Sequence, residues 1–270
     1  MDNKIKDFWN SMTSGEFSQE DMDWYNRVIE APERAFPITV YPLIKKYMGD
    51  LRGKKVLVPS SGDNTAVFGF HLLGAKVTSC DITENQLENA KLVANKHGWD
   101  IEFICQDSMK LDKINDGEYD LVYTSNGVHV WIDDMPGMYR NFYRVLKSGG
   151  YNIFFDTHPM GRPFDDDGSR SGYLKLVKSY EDIASTANED KNVPTYHWRT
   201  QDFVNAIISA GFNIKHMEEF NTLPDDLDSH CYIENEENRE HPNYGKDMFD
   251  WRINPWAAIP QCLCLCSQKQ

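Results

Sequence analysis

The segment VLVPSSGDNTAVFGFHLLGAKVTSCDIT, residues 56–83, decides the fold of this chain. An apolar run is followed by a polar turn, a helical stretch and a second apolar run that ends at Asp81. This succession predicts a β-strand, a turn, an α-helix and a parallel β-strand, the unit that commonly holds a nucleotide-type ligand. The turn, PSSGDN at 59–64, contains one glycine where such turns often carry three, so its ligand chemistry needs a separate argument.

The same alternation of apolar runs and helical stretches continues to Asp156, which predicts βαβ units around a parallel sheet. The second helix should begin after Thr83, since Thr83 and Gln86 form a capping-box pattern. Gly98 and the pair at 149–150 follow predicted helices and are typical of helix ends. The predicted strands are 55–59, 76–81, 101–107, 119–125 and 151–156, and the predicted helices are 65–73, 84–97 and 133–146.

The remaining segments predict how this sheet is covered. Aromatic, amphipathic stretches interrupted by prolines predict short helices before the first strand, and a helix at 200–210 precedes strands at 212–220 and 259–268. Long irregular connections inside a compact domain are usually functional. We expect a single domain over residues 1–270, in which 1–50 form a helical cover, 51–156 form the cofactor-binding core, and 157–199 and 221–256 form a substrate lid.

Composition excludes several classes of partner. The 270 residues carry a formal net charge of −14, which opposes binding to nucleic acid and to anionic membranes. No stretch has the run of apolar residues that a membrane span requires, and the first residues lack the apolar core of a signal peptide. The six cysteines form no secreted disulfide framework. These features predict a cytoplasmic protein.

The side chains of the turn indicate what it binds, because ligands of open parallel sheets lie beyond the carboxyl ends of the strands. Gly62 allows close backbone approach, while Ser60, Ser61 and Asn64 can hydrogen-bond a polar ligand. An Asp63 carboxylate would repel a diphosphate. The turn therefore favours a zwitterionic ligand over NAD or ATP, and an ordinary polar turn without a ligand is the alternative.

Three further strands end in polar residues at the same edge of the sheet. Asp81 is placed to accept hydrogen bonds from both hydroxyls of a ribose. Asp107 and Ser108 could recognise an adenine amino group, and Asn126 and Gly127 lie at the central crevice. Each could instead be a helix cap or a surface residue. Their agreement on one edge favours a ligand site.

These residues resemble a known family. Asp81, the pair Asp107-Ser108 and the segment YDLVYTSNGVHVWID…FYRVLKSGGYNIFFD are similar to class I S-adenosylmethionine-dependent methyltransferases, closely over 54–156 and more loosely over 200–220 and 257–267. The RVLKSGG phrase is specific to that family.

The resemblance implies an α/β fold with a doubly wound, seven-stranded, mostly parallel sheet of order 3-2-1-4-5-7-6 and an antiparallel last strand. It also implies S-adenosylmethionine as the cofactor. The cofactor-binding candidates are Ser60, Ser61, Gly62, Asp63, Asn64, Asp81, Ile82, Asp107, Ser108, Asn126 and Gly127.

The turn departs from the family's usual opening, an acidic residue followed by Gly-x-Gly-x-Gly. Val58 replaces the acidic residue, and only the middle glycine, Gly62, is retained. The group that holds the methionine ammonium therefore stays open. The candidates are Asp63, backbone carbonyls near Pro59 and Ser60, or side chains of the N-terminal helices (Tyr25, Arg34 or Tyr41, with Arg34 facing the carboxylate).

Two histidines are candidates for a general base, which methyl transfer needs only when the acceptor is protonated. His129 follows the fourth strand and His158 follows the fifth, so both should stand at the rim of the crevice. A structural histidine is the alternative for each. Aromatic side chains in the predicted lid could cage a flat or cationic acceptor or pack inside the lid (Trp131, Tyr173, Tyr196, His197, Trp198, Trp251, Trp256).

No metal site is predicted. Cys262, Cys264 and Cys266 alternate along one strand and so share one face, which is typical of small core residues and unlike the turn-borne pairs that bind zinc. The His230-Cys231 pair and His241 lie in an acidic stretch that is more typical of a solvated surface.

Three functions remain in competition. The leading hypothesis is an S-adenosylmethionine-dependent methyltransferase acting on a small molecule by in-line displacement, because the acidic charge and the long late connections favour a small acceptor. The alternatives are a nicotinamide-dependent oxidoreductase and a non-catalytic protein that binds S-adenosylmethionine. The sequence leaves the acceptor, its accepting atom and the oligomeric state open.

Overall fold

A computed structural model describes residues 3–12, 19–62, 64–125, 127–165, 172–183, 193–221 and 249–270. The helices are α1 (Asn3–Ser11), α2 (Gln19–Glu30), α3 (Val40–Met48), α4 (Ala66–Leu72), α5 (Glu84–His97), α6 (Met135–Val145) and α7 (Thr200–Ser209). The strands are β1 (Lys55–Pro59), β2 (Lys76–Asp81), β3 (Glu102–Cys105), β4 (Tyr119–Ser125), β5 (Leu146–Thr157), β6 (Asn213–Phe220) and β7 (Cys262–Gln268). Short 3₁₀ turns span Pro32–Ala35, His129–Trp131, Pro159–Gly161 and Pro255–Ala258.

The seven strands form one sheet of order β3-β2-β1-β4-β5-β7-β6. The first five strands are mutually parallel, and β7 runs antiparallel to both β5 and β6. Helices α4, α5 and α6 connect β1 to β2, β2 to β3 and β4 to β5. This confirms the predicted fold class, including the sheet order and the reversed last strand.

The second crossover helix forms where its end signals predict. The side chain of Thr83 accepts a hydrogen bond from the Gln86 amide at 3.3 Å, which satisfies one of the free donors at the start of α5. At the other end Gly98 adopts φ 67° and its amide bonds the last carbonyls. Local chemistry alone therefore fixes both ends of this helix.

The prediction that the glycines at 149–150 end a helix is wrong. α6 stops at Val145, and β5 begins at once with Leu146, so both glycines lie inside the strand. Gly149 has φ 79°, and a Cβ on Gly150 would come within 2.9 Å of the Lys147 carbonyl oxygen. The glycines are needed for this bend, which accompanies a register shift against β4.

Two apolar cores lie against the sheet. The cysteines Cys262, Cys264 and Cys266 of β7 all belong to one core, while Leu263 and Leu265 between them belong to the other. All five side chains are buried, and burial raises the pKa of Cys266 to about 12. The alternating face predicted for the cysteines is thus part of the hydrophobic interior, where a thiol behaves as a small apolar group.

The first helix lies across the edge of the sheet where the site is predicted. The Gln86 side-chain amide of α5 donates to the carbonyl oxygens of Trp9 and Met12, each at 2.8 Å. Phe8 stacks on Trp131, just after β4, with ring centroids 5.4 Å apart. In the described part of the chain no helix has both the length and the apolar character needed to cross a bilayer.

Candidate functional site

The turn after β1 is braced to β3 by a pair of hydroxyls. Ser60 and Ser108 place their Oγ atoms 2.7 Å apart, and Ser108 is buried. Ser60 adopts φ 52°, in the left-handed region that favours glycine. The family places its first glycine at this position, so Ser60 keeps the glycine-like backbone and adds a hydroxyl to the rim.

Two other side chains of the turn bond neighbouring strands. The Ser61 and Ser79 Oγ atoms lie 2.7 Å apart, which joins the turn to β2. The Asn64 side-chain amide donates to Ser125 Oγ at 2.7 Å, and its oxygen accepts from the Ala66 amide at 2.8 Å. These contacts hold the turn rigidly between β2 and β4. Whether Ser61 and Asn64 also contact a ligand stays a prediction.

Asp81, at the end of β2, links its own strand to the turn. One carboxylate oxygen accepts from the Gly62 amide at 3.0 Å, and the other lies 3.4 Å from the Thr83 amide. Asp81 thus ties the end of β2 to the turn after β1. The neighbouring Ile82 is half-buried, and its carbonyl oxygen accepts from the Cys105 thiol at 3.4 Å.

The remaining predicted residues divide into three groups. Asp107 caps the following turn, accepting from the Met109 amide at 2.9 Å. Gly127 has φ 80°, and its amide donates to Asp156 at 2.9 Å. Asp63 and Asn126 lie outside the described residues.

The N-terminal candidates for holding the methionine group are placed differently from one another. Tyr25 is buried and packs edge-on against Phe68, with ring centroids 5.4 Å apart. Tyr41 stacks on Phe36, while Arg34 is exposed. Val58, where the family has an acidic residue, is buried in the core and offers no polar group. The holder of the ammonium stays open.

His129 is 2% exposed and both of its ring nitrogens are engaged. Nδ1 lies 2.6 Å from Asp156 Oδ2, and Nε2 lies 2.9 Å from the Tyr139 hydroxyl. Burial would raise the pKa of Asp156, but the hydrogen bond from His129 holds it below its ordinary value. The ionised Asp156 thus accepts from Nδ1–H, and the Tyr139 hydroxyl donates to Nε2.

His158 is also buried and engaged at both nitrogens. Nδ1 accepts from the Met160 amide at 3.0 Å, so Nε2 carries the proton and donates to Glu219 at 2.7 Å. Burial lowers the pKa of His158, although Glu219 opposes the shift. Both imidazoles would have to give up a partner to act as a base, and the base role stays a prediction for each.

A small cleft opens beyond the carboxyl ends of β4 and β5. Its aromatic wall is Tyr196 stacked on Trp198 at 6.1 Å, and the Trp198 indole is anchored on the Ile132 carbonyl oxygen at 2.9 Å. The lining residues are His129, Val130, Asp156, Thr157, Pro159, Arg162, Tyr196, Trp198 and Phe203.

The aromatic side chains predicted for the lid lie in three kinds of place: in the cleft, in the interior or against α1, and on the surface. Tyr196 and Trp198 line the cleft, whereas Trp256 is fully buried and Trp131 packs against α1. Tyr173 and Trp251 are exposed.

Asp156 is one cleft residue that sequence reasoning missed, and Arg162 is another. Arg162 lies in the segment THPMGRP, five residues beyond the end of β5, and a single arginine in a polar connection carries no distinctive pattern. Only the folded chain brings it beside residues that follow β4 and precede α7. Its position just past a strand at the ligand edge of the sheet was the available signal.

The described side chains at the ends of β1 to β4 fit a particular ligand chemistry. They are carboxylates at Asp81 and Asp107 and hydroxyls at Ser60 and Ser108, with Gly62 and Gly127 in left-handed conformations. Carboxylates and hydroxyls suit a ligand with sugar hydroxyls and a positive charge, and they disfavour a diphosphate.

Residues 59–154 match the family profile described as a methyltransferase domain. The match runs from the last residue of β1 into β5, the strands whose ends form the rim. The chain carries a class I S-adenosylmethionine-dependent methyltransferase domain. The predicted family, enzyme class and cofactor are thereby confirmed, and the nicotinamide-dependent alternative loses its support.

The chain is also similar to two other proteins and to a solved structure. The chain is 27% identical over 135 residues to the uncharacterised methyltransferase YbaJ of Bacillus subtilis, covering 50% of this chain and 52% of that relative. It is 26% identical over 211 residues to an uncharacterised protein of Haemophilus influenzae, covering 69% and 80%. The crystal structure of an S-adenosylmethionine-dependent methyltransferase from Mesorhizobium loti aligns with a TM-score of 0.63 at 19% identity, covering 89% of this chain and 100% of that one. At that identity the structural likeness shows the shared fold.

Proposed function

We propose that this methyltransferase acts on a small-molecule acceptor that binds in the cleft beyond β4 and β5. The observation that carries the proposal is the position of Asp156. Its carboxylate lines the cleft and also accepts from the amide of Gly127, a predicted cofactor residue, at 2.9 Å. A ligand on the rim and a ligand in the cleft would therefore be neighbours.

We assign the parts of the cofactor to the rim residues by their chemistry. Asp81 would accept hydrogen bonds from the ribose hydroxyls, and Asp107 with Ser108 would face the adenine. The turn at 60–64 and the pair at 126–127 would surround the methionine portion. Bound there, the cofactor supplies an electrophilic methyl group on a positively charged sulfur.

Transfer proceeds by in-line displacement. A lone pair of the acceptor forms the new bond to the methyl carbon, while the electron pair of the breaking carbon–sulfur bond stays on sulfur. Any proton on the accepting atom then leaves to a base or to water. Holding the two reactants in line can supply about 7–11 kcal/mol of the barrier reduction, so positioning by the braced rim is the main contribution expected of the protein.

The charge of the chain supports a small acceptor over nucleic acid. The net charge of −14 opposes nucleic acid, and the same composition supports a cytoplasmic location.

The test uses the purified full chain in two steps. Calorimetry should show binding of S-adenosylhomocysteine and none of NAD. S-adenosylhomocysteine formation is then measured against panels of small molecules, with oligonucleotides and peptides as comparison substrates. Turnover with a small molecule supports the proposal, whereas turnover only with a polymer contradicts it. Tight cofactor binding without turnover on any acceptor would instead favour the non-catalytic alternative.

A further inference from the structure

The chain beyond β5 folds back beside the cleft and brings two cationic side chains together. The Val177 amide donates to the Pro163 carbonyl oxygen at 2.8 Å, and the Asp165 amide donates to that of Lys175 at 3.0 Å. The Lys178 amide also reaches the Pro163 carbonyl oxygen, at 3.3 Å. Lys178 therefore lies next to Arg162, the arginine of the cleft.

Arg162 has no counter-ion among the residues that the structure describes. Other arginines are paired: Arg144 with Asp116 at 2.6 Å and Arg199 with Asp202 at 2.9 Å. Arg162 is half-buried, and its backbone amide donates to the Pro159 carbonyl oxygen, yet its guanidinium forms no hydrogen bond or ion pair with any described residue. A partly desolvated guanidinium without an acceptor is costly, because all five of its N–H groups are donors.

The carboxylate nearest to this arginine in the cleft is already occupied. Asp156 accepts from the amides of Gly127, His129 and Thr157 and from the His129 ring, at 2.6–3.2 Å. These four donors match the lone-pair capacity of a carboxylate. The charge of Arg162 helps to lower the pKa of Asp156, but the two side chains share no hydrogen bond. The guanidinium is therefore available to bind a ligand.

Lys178 and His197 lie close enough to Arg162 for its charge to act on both. Lys178 is half-buried and donates to the Asp182 carbonyl oxygen at 2.6 Å; burial lowers its pKa, the Asp182 charge opposes this, and the Arg162 charge adds to it. His197 lies between the cleft residues Tyr196 and Trp198, and its buried Nδ1 has no partner among the described residues.

The cationic side chains also act on the histidine. Burial, followed by the charges of Lys178 and Arg162, lowers the pKa of His197 to about 4, and Asp182 only partly opposes the shift. Arg162 of the cleft, Lys178 and His197 thus lie close together in a chain of net charge −14, with Asp182 and Asp156 as the acidic groups that influence them.

We infer that the methyl acceptor carries an anionic group, a carboxylate or a phosphate, bound by Arg162 with Lys178 and His197. The rest of the acceptor lies along Tyr196 and Trp198 toward the rim. The arginine fork matches either anion in a bidentate manner, and the ammonium adds a point charge. This inference rests on the proposed function, because it names the substrate class of the same cleft.

The test titrates inorganic phosphate, and separately acetate, into the full chain saturated with S-adenosylhomocysteine at low ionic strength. We expect binding of at least one anion, weakened at least tenfold by Arg162→Gln and several-fold by Lys178→Gln. Lys175→Gln is the matched control, since Lys175 lies on the same segment, is 64% exposed and faces Asp165. Stronger phosphate binding indicates a phosphorylated acceptor, and stronger acetate binding indicates a carboxylic acid.

The His197 ring provides a second readout by NMR. Anion binding should raise the pKa of its imidazole in the wild type, but not in Arg162→Gln. Arg162→Lys keeps the positive charge but lacks the two-pronged guanidinium, so we expect it to bind the anion with intermediate affinity. This variant keeps the inference testable if Arg162→Gln does not fold. Absence of anion binding by the wild type, or equal binding by folded Arg162→Gln, overturns the inference. If the wild type does not bind S-adenosylhomocysteine at all, that result contradicts the proposed function instead.

Discussion

At the scale of single residues, Ser60 shows how a departure from the family pattern is accommodated. It adopts φ 52° and its Oγ lies 2.7 Å from that of Ser108. We expect Ser60→Gly to be more stable than Ser60→Ala by roughly 1 kcal/mol, because both lose the hydroxyl and only alanine keeps a strained left-handed backbone. Urea unfolding measures the difference, and an alanine variant as stable as the glycine variant contradicts it.

Asp81 is the residue on which the assigned cofactor site depends most directly. Asp81→Ala should weaken S-adenosylhomocysteine binding at least tenfold, since hydrogen bonds to a charged group contribute about 1.5–3 kcal/mol and tenfold corresponds to about 1.4 kcal/mol. Calorimetry measures the affinity. Glu84→Ala is the control, because Glu84 is 62% exposed and pairs with Lys91 on the outside of α5. Unchanged affinity in Asp81→Ala means that the site is assigned wrongly.

Kinetics can decide whether His129 and His158 act as general bases or have only a structural role. A general base contributes about 10²–10⁴-fold to kcat/KM. Because each ring has two partners in the interior, we expect glutamine variants of either to lose less than about tenfold in kcat/KM per folded molecule. The pH profile of kcat/KM decides: a loss of about 100-fold together with a vanished acidic limb would assign the base.

At the scale of elements, α6 supports the cleft through Tyr139. Its hydroxyl is buried and donates to His129 Nε2 at 2.9 Å, which completes a chain from α6 to Asp156. Tyr139→Phe leaves that nitrogen buried without a partner, so we expect a loss of about 1–3 kcal/mol in the free energy of unfolding.

A neighbouring tyrosine gives the control for this measurement. Tyr143, one turn later on α6, packs against Phe212 at 5.1 Å, and its hydroxyl forms no hydrogen bond within the described part of the chain. Tyr143→Phe should change the stability by less than about 0.5 kcal/mol. Equal losses in the two variants would mean that the bond to His129 contributes nothing specific.

Elements were predicted well where local chemistry decides them. β1, β2 and β4 and helix α5 have the predicted bounds, because apolar runs and the Thr83 and Gly98 end signals act over a few residues. The start of β5 was missed, since the five residues from Leu146 join the strand only through a bent pairing with β4. That pairing depends on a segment more than twenty residues away.

At the scale of the whole molecule, the partly buried His197 makes stability depend on pH. The pKa of His197 is lowered to about 4 by burial and nearby cations, so the unfolded chain takes up a proton before the folded one does. The stabilisation is complete above pH 6.5 and is lost as the pH falls from there toward 4. Each unit of pKa difference is worth about 1.4 kcal/mol, which solvent screening at this half-exposed site reduces to roughly 1–2 kcal/mol in total.

His197→Gln should therefore lose less stability than the wild type between pH 7 and pH 5. Urea unfolding at both pH values measures this, in buffers without phosphate or carboxylate so that no anion occupies the cleft. His97→Gln is the control, because His97 lies in the last turn of α5, at the surface. Equal slopes in wild type and His197→Gln would contradict the prediction.

The sequence by itself determined the order of elements, the sheet class and the edge that carries Asp81, Asp107 and Gly127. These follow from patterns within a strand or a turn, where neighbours along the chain are neighbours in space. Only the tertiary structure decided that Ser60 bonds Ser108, that Asp156 joins the rim to the cleft, and that Arg162 lies beside Lys178 and His197. Those contacts join segments far apart in the chain, and no local periodicity encodes them.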